Sequence, residues 1–534
     1  MICIKRSSSR TIKKIIIITI LVISDASISG KFVISVWPRY VMNIARDLLC
    51  IAKGEILEDS WSRLIYSVDA SHYEIEPTAI VCPADEHDVQ RICEYSSTNK
   101  IPITARGAGT GLLGQSLSDG VILNFSKHMD KIIEIDNDYV TLQPGIVKGI
   151  LDKELKKKDK FLPPDPASSN YCTVGGMIAD NSSGIHSLGY GSTISFLQEI
   201  NVVYADGKLG FASAAKYDDR MKKLGELLTL NIHEIRNSYP SVTKNSCGYR
   251  LDAVIDDKFN PQKVFAASEG TLGVITSAKL HILDIPSYRS LMVLGFEDLL
   301  SAVSVVPEIL KFSPIALEML DHTIVRSNDG KASGAGCLLF IEFAGNDSSK
   351  KVETRMMACK QKLGDRCSLI EYASDEQSII KMWMARKSAL NSIMKLTVGS
   401  RKPIGLIEDT AIRPDFLVDH VANLLKTYHE NKLDYVIYGH VGDGNMHTRP
   451  LIDTASTKEV EVIRNIANKV FSYVIKRRGT ITGEHGDGLA RTRYIEMMYG
   501  KRISSLFAIV KKLFDPSFTM NPCKKVPCND LSMA

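Results

Sequence analysis

A glycine-rich segment between two predicted strands constrains the fold of this chain more than any other feature. The segment ARGAGTGLLGQS runs on from the strand IPITARG, and residues 109–114 match the GxGxxG dinucleotide fingerprint. That fingerprint requires a helix directly after the glycines. Here the strand VILNF begins at Val121, which leaves no room for one. The sequence therefore excludes a Rossmann domain and predicts a tight loop whose backbone N–H groups can approach a pyrophosphate, since glycine lacks a Cβ and permits positive φ.

A second glycine-rich region runs from Pro163 to Gly191. Its stretch PPDPASSNYCTVGGMIADNSSG combines glycine, serine and asparagine with prolines of fixed φ, and it is long enough to wrap a ligand. Either loop alone is compatible with an ordinary turn. Two such loops in one domain are hard to explain as turns, so we expect both to contact a ligand.

Short β-rich runs alternate with helical runs from about residue 75, which predicts an α+β fold. In the run EHDVQRICEYSSTNK, for example, Val89, Ile92 and Cys93 recur at helical spacing. Near Pro286 the pattern changes to strand–helix–strand–helix, which predicts a small sandwich with helices on one side. Before that point we expect the strands TAIVCP, IPITARG, VILNF, EINVVYADG, VFAASEG and VITSAKLHIL.

The charge of the chain gives no reason to expect nucleic-acid binding. The net charge is +5, but five positive charges lie within the first fourteen residues: Lys5, Arg6, Arg10, Lys13 and Lys14. The rest of the chain is close to neutral, so no broad basic surface is expected. A length of 534 residues exceeds what one hydrophobic core organises, which predicts at least two domains.

The N-terminal segment has two interpretations. A basic stretch, the apolar run IIIITILVIS and the small residues after it resemble a signal peptide, although the run is about half the roughly 20 residues of a spanning helix. Alternatively, the chain begins at Met42 and the start is assigned too far upstream. Nothing later in the chain requires export, so we expect a cytoplasmic protein; the apolar run leaves peripheral membrane association open.

The cysteines agree with a cytoplasmic location. Their number, eleven, is odd and their spacing irregular, which does not indicate a disulfide framework. Cys523 and Cys528 have no second pair, so we interpret them as ordinary thiols rather than as a metal knuckle. The chain has no CxxCxxC run and is not expected to carry an iron–sulfur cluster of its own.

Two histidine motifs in the C-terminal part predict a metal site. YGHVGDGNMH places His440 and His447 on either side of a Gly-Asp-Gly-Asn turn, and GEHGDG then supplies the adjacent Glu484 and His485. Two imidazoles and a carboxylate are a common ligand set for Zn²⁺, Mn²⁺ or Fe²⁺, and they leave positions open for a substrate. Histidines that stand alone are interpreted as structural, namely His128 and His281.

The motifs together resemble those of FAD-binding oxidoreductases of the p-cresol methylhydroxylase/vanillyl-alcohol oxidase type. The resemblance is strongest to the branch of D-lactate dehydrogenase, glycolate oxidase flavoprotein subunit and D-2-hydroxyglutarate dehydrogenase. It implies an N-terminal extension over residues 1–45, a two-subdomain FAD-binding domain over 46–286, an α+β substrate or cap domain over 287–455 and a helical segment over 456–534 that completes the active site. The motifs that carry it are PTAIVCP, ARGAGTGLLG, LPPDPASS, TVGGMIADNSSG, ASEGTLGVIT, YGHVGDGNMH and GEHGDG.

The resemblance implies a set of FAD-binding residues. The pyrophosphate region is expected to contact Arg106, Gly107, Ala108, Gly109, Thr110, Gly111, Gln115 and Ser116. The flavin is expected to be lined by Pro164, Asp165, Thr173, Gly176, Ser182, Ser183 and Gly184, with Glu269, Gly273 and Ile275 completing the site. Some relatives attach the flavin to a histidine in the first loop. This chain has none there, so we predict non-covalent FAD.

The resemblance also assigns roles to the histidine motifs. His440, His447 and Glu484 are implied as ligands of a divalent metal, and His485 as the general base. Oxidation of a 2-hydroxy acid requires loss of the hydroxyl proton and transfer of the α-hydrogen to the flavin. A metal on the substrate oxygens lowers the hydroxyl pKa, and a histidine suits the base because its ordinary pKa is near neutrality.

The carboxylate of the substrate needs a cation. Arg386 stands where relatives place a substrate-binding arginine, although a surface helix arginine is an equal alternative. Lys402 lies too early in RKPIGLIEDTAI to match the lysine of relatives that bind diacids, which leaves a diacid substrate in doubt. Asn445 and Arg491 are secondary candidates.

We therefore expect an FAD-dependent dehydrogenase of a small 2-hydroxy acid such as D-lactate or glycolate, forming a homodimer. Reduced FAD would pass electrons to a separate acceptor: a quinone, a cytochrome, an electron-transfer flavoprotein or an iron–sulfur subunit. Two alternatives share the fold, namely a non-redox transferase that makes ether-lipid precursors and a non-catalytic flavoprotein subunit of an electron-transfer complex. The histidine motifs argue against both, because neither would need them.

Overall fold

The computed structural model of the protein describes residues 44–321, 334–393 and 397–528. The signal-like segment and the alternative start at Met42 lie outside the described residues. Among the helices within these ranges, none is both long and apolar enough to cross a membrane.

The first sheet has four strands in the order β1-β2-β4-β3, and β2, β4 and β3 run parallel. Its strands are β1 Glu55–Leu57, β2 Ala79–Cys82, β3 Ile103–Arg106 and β4 Val121–Asn124. The predicted helix spans Glu86–Asn99, and Val89, Ile92 and Cys93 are buried as expected. It begins where the side chain of Asp85 accepts a hydrogen bond from the backbone N–H of Asp88.

The second sheet has five strands in the order β5-β6-β10-β8-β9, all antiparallel. These are β5 Ile132–Ile135, β6 Tyr139–Leu142, β8 Leu197–Val203, β9 Leu209–Ser213 and β10 Val274–His281; β7 Lys160–Phe161 pairs separately with β11 Leu283–Asp284. The predicted strand VFAASEG is wrong. A 3-10 helix over Pro261–Phe265 precedes a turn in which Ala267 and Glu269 have positive φ, and this backbone cannot extend.

An eight-stranded antiparallel sheet forms the C-terminal part. Its path is β15-β12-β14-β13-β18-β19-β16, with β17 also paired to β19. The strands are β12 Tyr288–Phe296, β13 Ala316–Asp321, β14 Cys337–Gly345, β15 Ser368–Ala373, β16 Lys402–Pro403, β17 Thr410–Ala411, β18 Tyr435–His440 and β19 Asn445–Ile452. The α+β prediction is confirmed, whereas a domain boundary at residue 287 stays a prediction.

Helices cover both faces of this sheet, contrary to the prediction of helices on one side. Met292 and Leu294 of β12 pack in the same core cluster as Met356 of helix Ser349–Leu363. Leu291 and Val293 point the opposite way and share a cluster with helix Glu376–Ile393. Because successive residues of β12 are apolar, both faces of the strand need cover.

The helices within the described residues are Ile44–Ile51, Ser60–Tyr66, Glu86–Asn99, Lys148–Lys156, Val174–Asp180, Ser187–Tyr190, Asp219–Leu230, Ile232–Ser238, Leu251–Val254, Leu299–Ser304, Val306–Leu310, Ser349–Leu363, Glu376–Ile393, Leu417–Glu430, Thr457–Lys476, Gly488–Arg491 and Ile495–Phe514. The mostly helical character of the chain after residue 455 agrees with the sequence. The expectation for the C-terminal cysteines is wrong: Cys523 and Cys528 form a disulfide, with their Cα atoms 5.0 Å apart.

Candidate active site

One cavity of about 340 Å³ joins the two glycine-rich loops to the two histidine motifs. The long loops bring together residues that are more than 300 positions apart in sequence. Of the predicted FAD-binding residues, the cavity is lined by Arg106, Gly107, Ala108, Gly109, Thr110, Gly111, Gln115, Ser116, Thr173, Gly176, Ser182, Ser183, Gly184, Glu269, Gly273 and Ile275. The same cavity is also lined by Arg386, Tyr438, His440, His447, Arg449, Glu484 and His485.

The first loop has the backbone of an anion-binding site. In the described part of the chain, no internal hydrogen bond takes up the backbone N–H groups of residues 107–111. A Cβ on Gly107 would collide with Oγ1 of Thr173, and one on Gly109 would lie 2.5 Å from Nη2 of Arg106. The Arg106 guanidinium donates to the carbonyls of Tyr66 and Val68, so this side chain shapes the loop. The unpaired N–H groups fit the pyrophosphate of FAD.

The second loop lines the cavity only in part. Thr173 caps the N-terminus of helix Val174–Asp180. After this helix, Ser182, Ser183 and Gly184 line the cavity. Pro164 and Asp165 are not among the lining residues. Asp165 instead accepts from Nδ1 of His186 at 2.7 Å, and the pKa of the Asp165 carboxyl is lowered because His186 outweighs the opposing effect of burial. Asp165 thus stabilises the second loop through His186 and does not line the cavity.

Glu269 ties the FAD loops to the GEHGDG motif. Its carboxylate accepts the backbone N–H of Asp487 at 2.6 Å and lies 3.1 Å from Nζ of Lys525. The side chain of Gln115 donates to the carbonyl of His485. Burial raises the pKa of Glu269, and Lys525 opposes that rise. The sequence pointed to Glu269 and Gln115 as cofactor contacts, but their protein partners show that they also position the second histidine motif.

The predicted metal ligands meet at one carboxylate oxygen. Oε1 of Glu484 lies 2.9 Å from Nε2 of His440 and 3.2 Å from Nε2 of His447. The hairpin of β18 and β19 produces this approach, because His440 ends one strand and His447 lies near the start of the next. The three groups are close enough to hold one metal ion. Two imidazoles and a carboxylate suit Zn²⁺, Mn²⁺ or Fe²⁺.

The other oxygen of Glu484 is fixed by two further side chains. Oε2 accepts from Oγ of Ser183 at 2.5 Å and lies 2.9 Å from Nζ of Lys244. Lys244 is buried, and nothing in the sequence pattern had singled it out. The carboxylate therefore presents one oxygen to the histidines and the other to a hydroxyl and an ammonium group.

A second group of potential metal ligands overlaps the first. Glu408, His447 and His485 also bring ligand atoms close together. Glu408, however, already lies 2.7 Å from Nη2 of Arg449 and 3.0 Å from Nδ1 of His485. Both oxygens of Glu408 therefore already have partners, whereas Oε1 of Glu484 faces His440 and His447, so the set of His440, His447 and Glu484 fits a metal better.

The histidines differ in their pKa values. Burial would lower the pKa of His440, but Glu318 and Glu484 raise it to about 9. Burial lowers the pKa of His447 to about 4, which keeps its ring neutral, the form that binds metals. Against the effect of burial, Glu408 and Asp409 raise the pKa of His485.

Two buried acids that sequence reasoning missed, Glu408 and Asp409, contact the GEHGDG loop. Asp409 has a φ of 71° and accepts the backbone N–H groups of Glu484 and His485, the latter at 2.9 Å. Arg491 lies 3.2 Å from Oδ2 of Asp409 and donates to the carbonyl of Glu408. Arg491 therefore supports this loop and does not line the cavity. In the sequence, the signal for Glu408 and Asp409 is their position as adjacent acids in the otherwise apolar run LIEDTAI.

The structure separates the candidates for the substrate carboxylate. Arg386 is buried on helix Glu376–Ile393, lines the cavity and pairs with Glu318. Asn445 is buried behind the cavity and donates to Oδ1 of Asp409 at 3.1 Å. Lys402 is exposed on the short edge strand β16 and is not among the lining residues. Of the three, Arg386 is the one placed beside the histidines.

The sequence and fold define the class of protein. Residues 77–211 match the FAD binding domain family, and residues 285–525 match the C-terminal domain of FAD linked oxidases. The chain belongs to the family of FAD-linked oxidases that includes hydroxy-acid dehydrogenases.

Two relatives and one solved structure are similar to this chain over most of its length. The chain is 30% identical to glycolate oxidase subunit GlcD of Bacillus subtilis, over 90% of this chain and 96% of that protein. It is also 30% identical to D-2-hydroxyglutarate dehydrogenase of Haemophilus influenzae, over 91% of this chain but 52% of that protein, so it spans about half the length of this relative. A solved structure of p-cresol methylhydroxylase has a TM-score of 0.65 at 16% identity, covering 91% of this chain and 97% of that one. The predicted fold is confirmed.

Proposed function

We propose that this protein is an FAD-dependent dehydrogenase that oxidises a small 2-hydroxy acid to the 2-oxo acid. The observation that carries the proposal is the shared cavity, in which FAD-type loops face His440, His447, Glu484 and His485. The names of the relatives, glycolate oxidase subunit and D-2-hydroxyglutarate dehydrogenase, support the same class of substrate.

The residues of the chain have distinct tasks in this reaction. FAD held by the two loops would supply the acceptor for the α-hydrogen and its electron pair, and His440, His447 and Glu484 would hold a divalent ion that would lower the pKa of the substrate hydroxyl. Arg386 holds the carboxylate of the substrate and so directs the Cα–H bond. His485 takes the hydroxyl proton at Nε2, because its Nδ1 faces Glu408.

The proposal includes non-covalent FAD. The first loop, Arg106 to Thr110, contains no histidine that could carry a flavin bond. Precipitation of the purified protein with acid should leave the yellow colour in the supernatant. Colour retained in the pellet would contradict this part of the proposal.

Turnover with an artificial electron acceptor tests the proposed reaction. A panel of 2-hydroxy acids of both configurations, including D-lactate and glycolate, would be offered to the FAD-loaded protein together with a redox dye. At least one acid should reduce the dye, and chelation of the metal should stop it. No dye reduction with any hydroxy acid would favour a non-redox transferase or a non-catalytic subunit. The physiological acceptor remains a separate molecule in this proposal: a quinone, cytochrome, electron-transfer flavoprotein or iron–sulfur subunit.

A further inference from the structure

Two buried glutamates on adjacent strands hold one face of helix Glu376–Ile393. Glu318 lies on β13 and Glu342 on β14, and both are fully buried. Nε1 of Trp383 donates to Oε2 of Glu342 at 2.7 Å, and Nη2 of Arg386 pairs with Oε2 of Glu318. The helix is therefore fixed at two points one turn apart.

Each of these glutamates also contacts a histidine, but the two histidines belong to different parts of the site. Oε1 of Glu318 lies 2.5 Å from Nδ1 of His440, one of the proposed metal ligands. Oε2 of Glu342 lies 3.0 Å from Nε2 of His186, which bonds to Asp165 behind the flavin loop. Of these two glutamates, Glu318 is therefore the one that joins helix Glu376–Ile393 to a proposed metal ligand.

We propose that Glu318 is a positioning residue: its carboxylate contacts the metal ligand His440 and the carboxylate-binding Arg386 together and fixes the position of each relative to the other. The inference rests on the proposed function, which assigns His440 as a metal ligand and Arg386 as the residue that binds the substrate carboxylate. Glu318 itself does not line the cavity and acts through its two partners.

The geometry at His440 supports one end of this arrangement. With Nδ1 bonded to the Glu318 carboxylate, Nε2 is the nitrogen that faces Glu484, at 2.9 Å from Oε1. A carboxylate on the far nitrogen of a ligating histidine fixes the ring and makes it a stronger ligand. The neighbouring strands hold this contact, because Met319 pairs with Gly439 directly beside it.

The geometry at Arg386 supports the other end. The ion pair with Glu318 occupies Nη2, whereas Nε has no hydrogen-bond partner within the described residues. An arginine fork can bind a second carboxylate through its remaining N–H groups. Glu318 therefore holds the fork beside His440 while part of it remains available to a ligand.

The substitution Glu318→Gln breaks this double contact while preserving shape. An amide offers one acceptor oxygen, and its NH₂ group must face a donor, either the N–H of His440 or that of Arg386. Glu342→Gln is the matched control, because it changes the equivalent glutamate of the neighbouring strand without touching a proposed metal ligand.

The affinity for Mn²⁺, measured by equilibrium dialysis on the FAD-loaded full chain without substrate, tests the proposal. Glu318→Gln should weaken Mn²⁺ binding about 10- to 100-fold, whereas Glu342→Gln should bind Mn²⁺ like the wild type. At saturating Mn²⁺, Glu318→Gln should also raise KM for the hydroxy acid. Wild-type Mn²⁺ affinity in a folded Glu318→Gln variant would overturn the inference and leave the proposed function intact. A wild type that binds none of Mn²⁺, Zn²⁺ and Fe²⁺ would overturn both.

A second variant covers the case in which Glu318→Gln fails to retain FAD. Glu318→Asp keeps the charge but is one methylene shorter, so it can reach one partner and not both. Either the Mn²⁺ affinity or the KM should then change. Wild-type values for both quantities would overturn the proposal.

Discussion

Nδ1 of His485 lies 3.0 Å from Oε1 of Glu408, a carboxylate that is fully buried beneath the active-site cavity. Burial raises the pKa of Glu408, but Arg449 and His485 hold it well below its usual range, so the group stays ionised. An ionised carboxylate at Nδ1 favours the tautomer in which Nε2 is free to accept a proton. This arrangement suits His485 as the base of the reaction.

Replacement of His485 by asparagine should therefore depress kcat by about 10²- to 10⁴-fold, the usual contribution of a general base. The amide keeps a polar group at the position but cannot take the substrate proton. Metal content, measured by elemental analysis, should stay near that of the wild type, because His485 is not among the proposed ligands. Turnover close to wild type would remove His485 from this role.

Replacement of His447 by alanine should reduce bound metal together with activity. Its Nε2 lies 3.2 Å from the Glu484 oxygen at which the proposed ligands meet, so its loss leaves two of three protein ligands. Metal content after dialysis against a weak chelator is the measurement. His128→Gln is the control, since His128 is exposed, does not line the cavity and is not a proposed ligand. Equal metal content in both variants would contradict the ligand assignment.

Substitutions at Arg386 and at Lys402 should differ in their effect on KM for the hydroxy acid. Arg386→Lys should raise KM for the hydroxy acid about tenfold or more, because lysine lacks the planar fork that binds a carboxylate through two bonds. Lys402→Ala should leave KM unchanged, since this side chain is exposed and does not line the cavity. The measurement is KM for the hydroxy acid, obtained by steady-state kinetics on both variants. A larger effect at Lys402 would reverse the assignment.

The ion pairs of His186 predict a pH dependence of stability. Burial would lower the pKa of His186, but Asp165 and Glu342 raise it to about 10 from an ordinary value of 6.5. A group whose pKa rises on folding stabilises the protein fully below pH 6.5, and this stabilisation is lost as the pH rises through about 10. Melting temperatures from pH 6 to 10 should therefore fall more steeply for the wild type than for His186→Gln. Parallel curves would contradict the prediction.

The local sequence was sufficient to identify the loops and the histidine motifs. Glycines that need positive φ, as at Gly109, and histidines flanked by glycine, as at His440, leave a signal within a few residues. The absence of a helix after the first loop also followed from the local spacing. These features depend on the backbone of one segment, which is why the sequence reveals them.

The partners of the site residues could not be predicted in the same way. Glu318 reaches His440 across 122 positions and Lys244 reaches Glu484 across 240, so both contacts depend on how distant elements pack. In sequence, Glu318 is one polar residue within the apolar run ALEML, and Arg386 could equally be a surface arginine of a helix. Only the folded chain shows that Lys402 is exposed and that Arg386 faces the cavity.

Anaerobic reduction of the bound flavin tests the central claim most directly. Mixing the FAD-loaded protein with a 2-hydroxy acid, in the absence of oxygen and of any other acceptor, should bleach the visible absorbance of the oxidised flavin within one turnover. Prior treatment with a chelator should abolish the bleaching, and added metal should restore it. Flavin that stays oxidised with every 2-hydroxy acid, in a protein shown to hold both FAD and metal, would contradict the account.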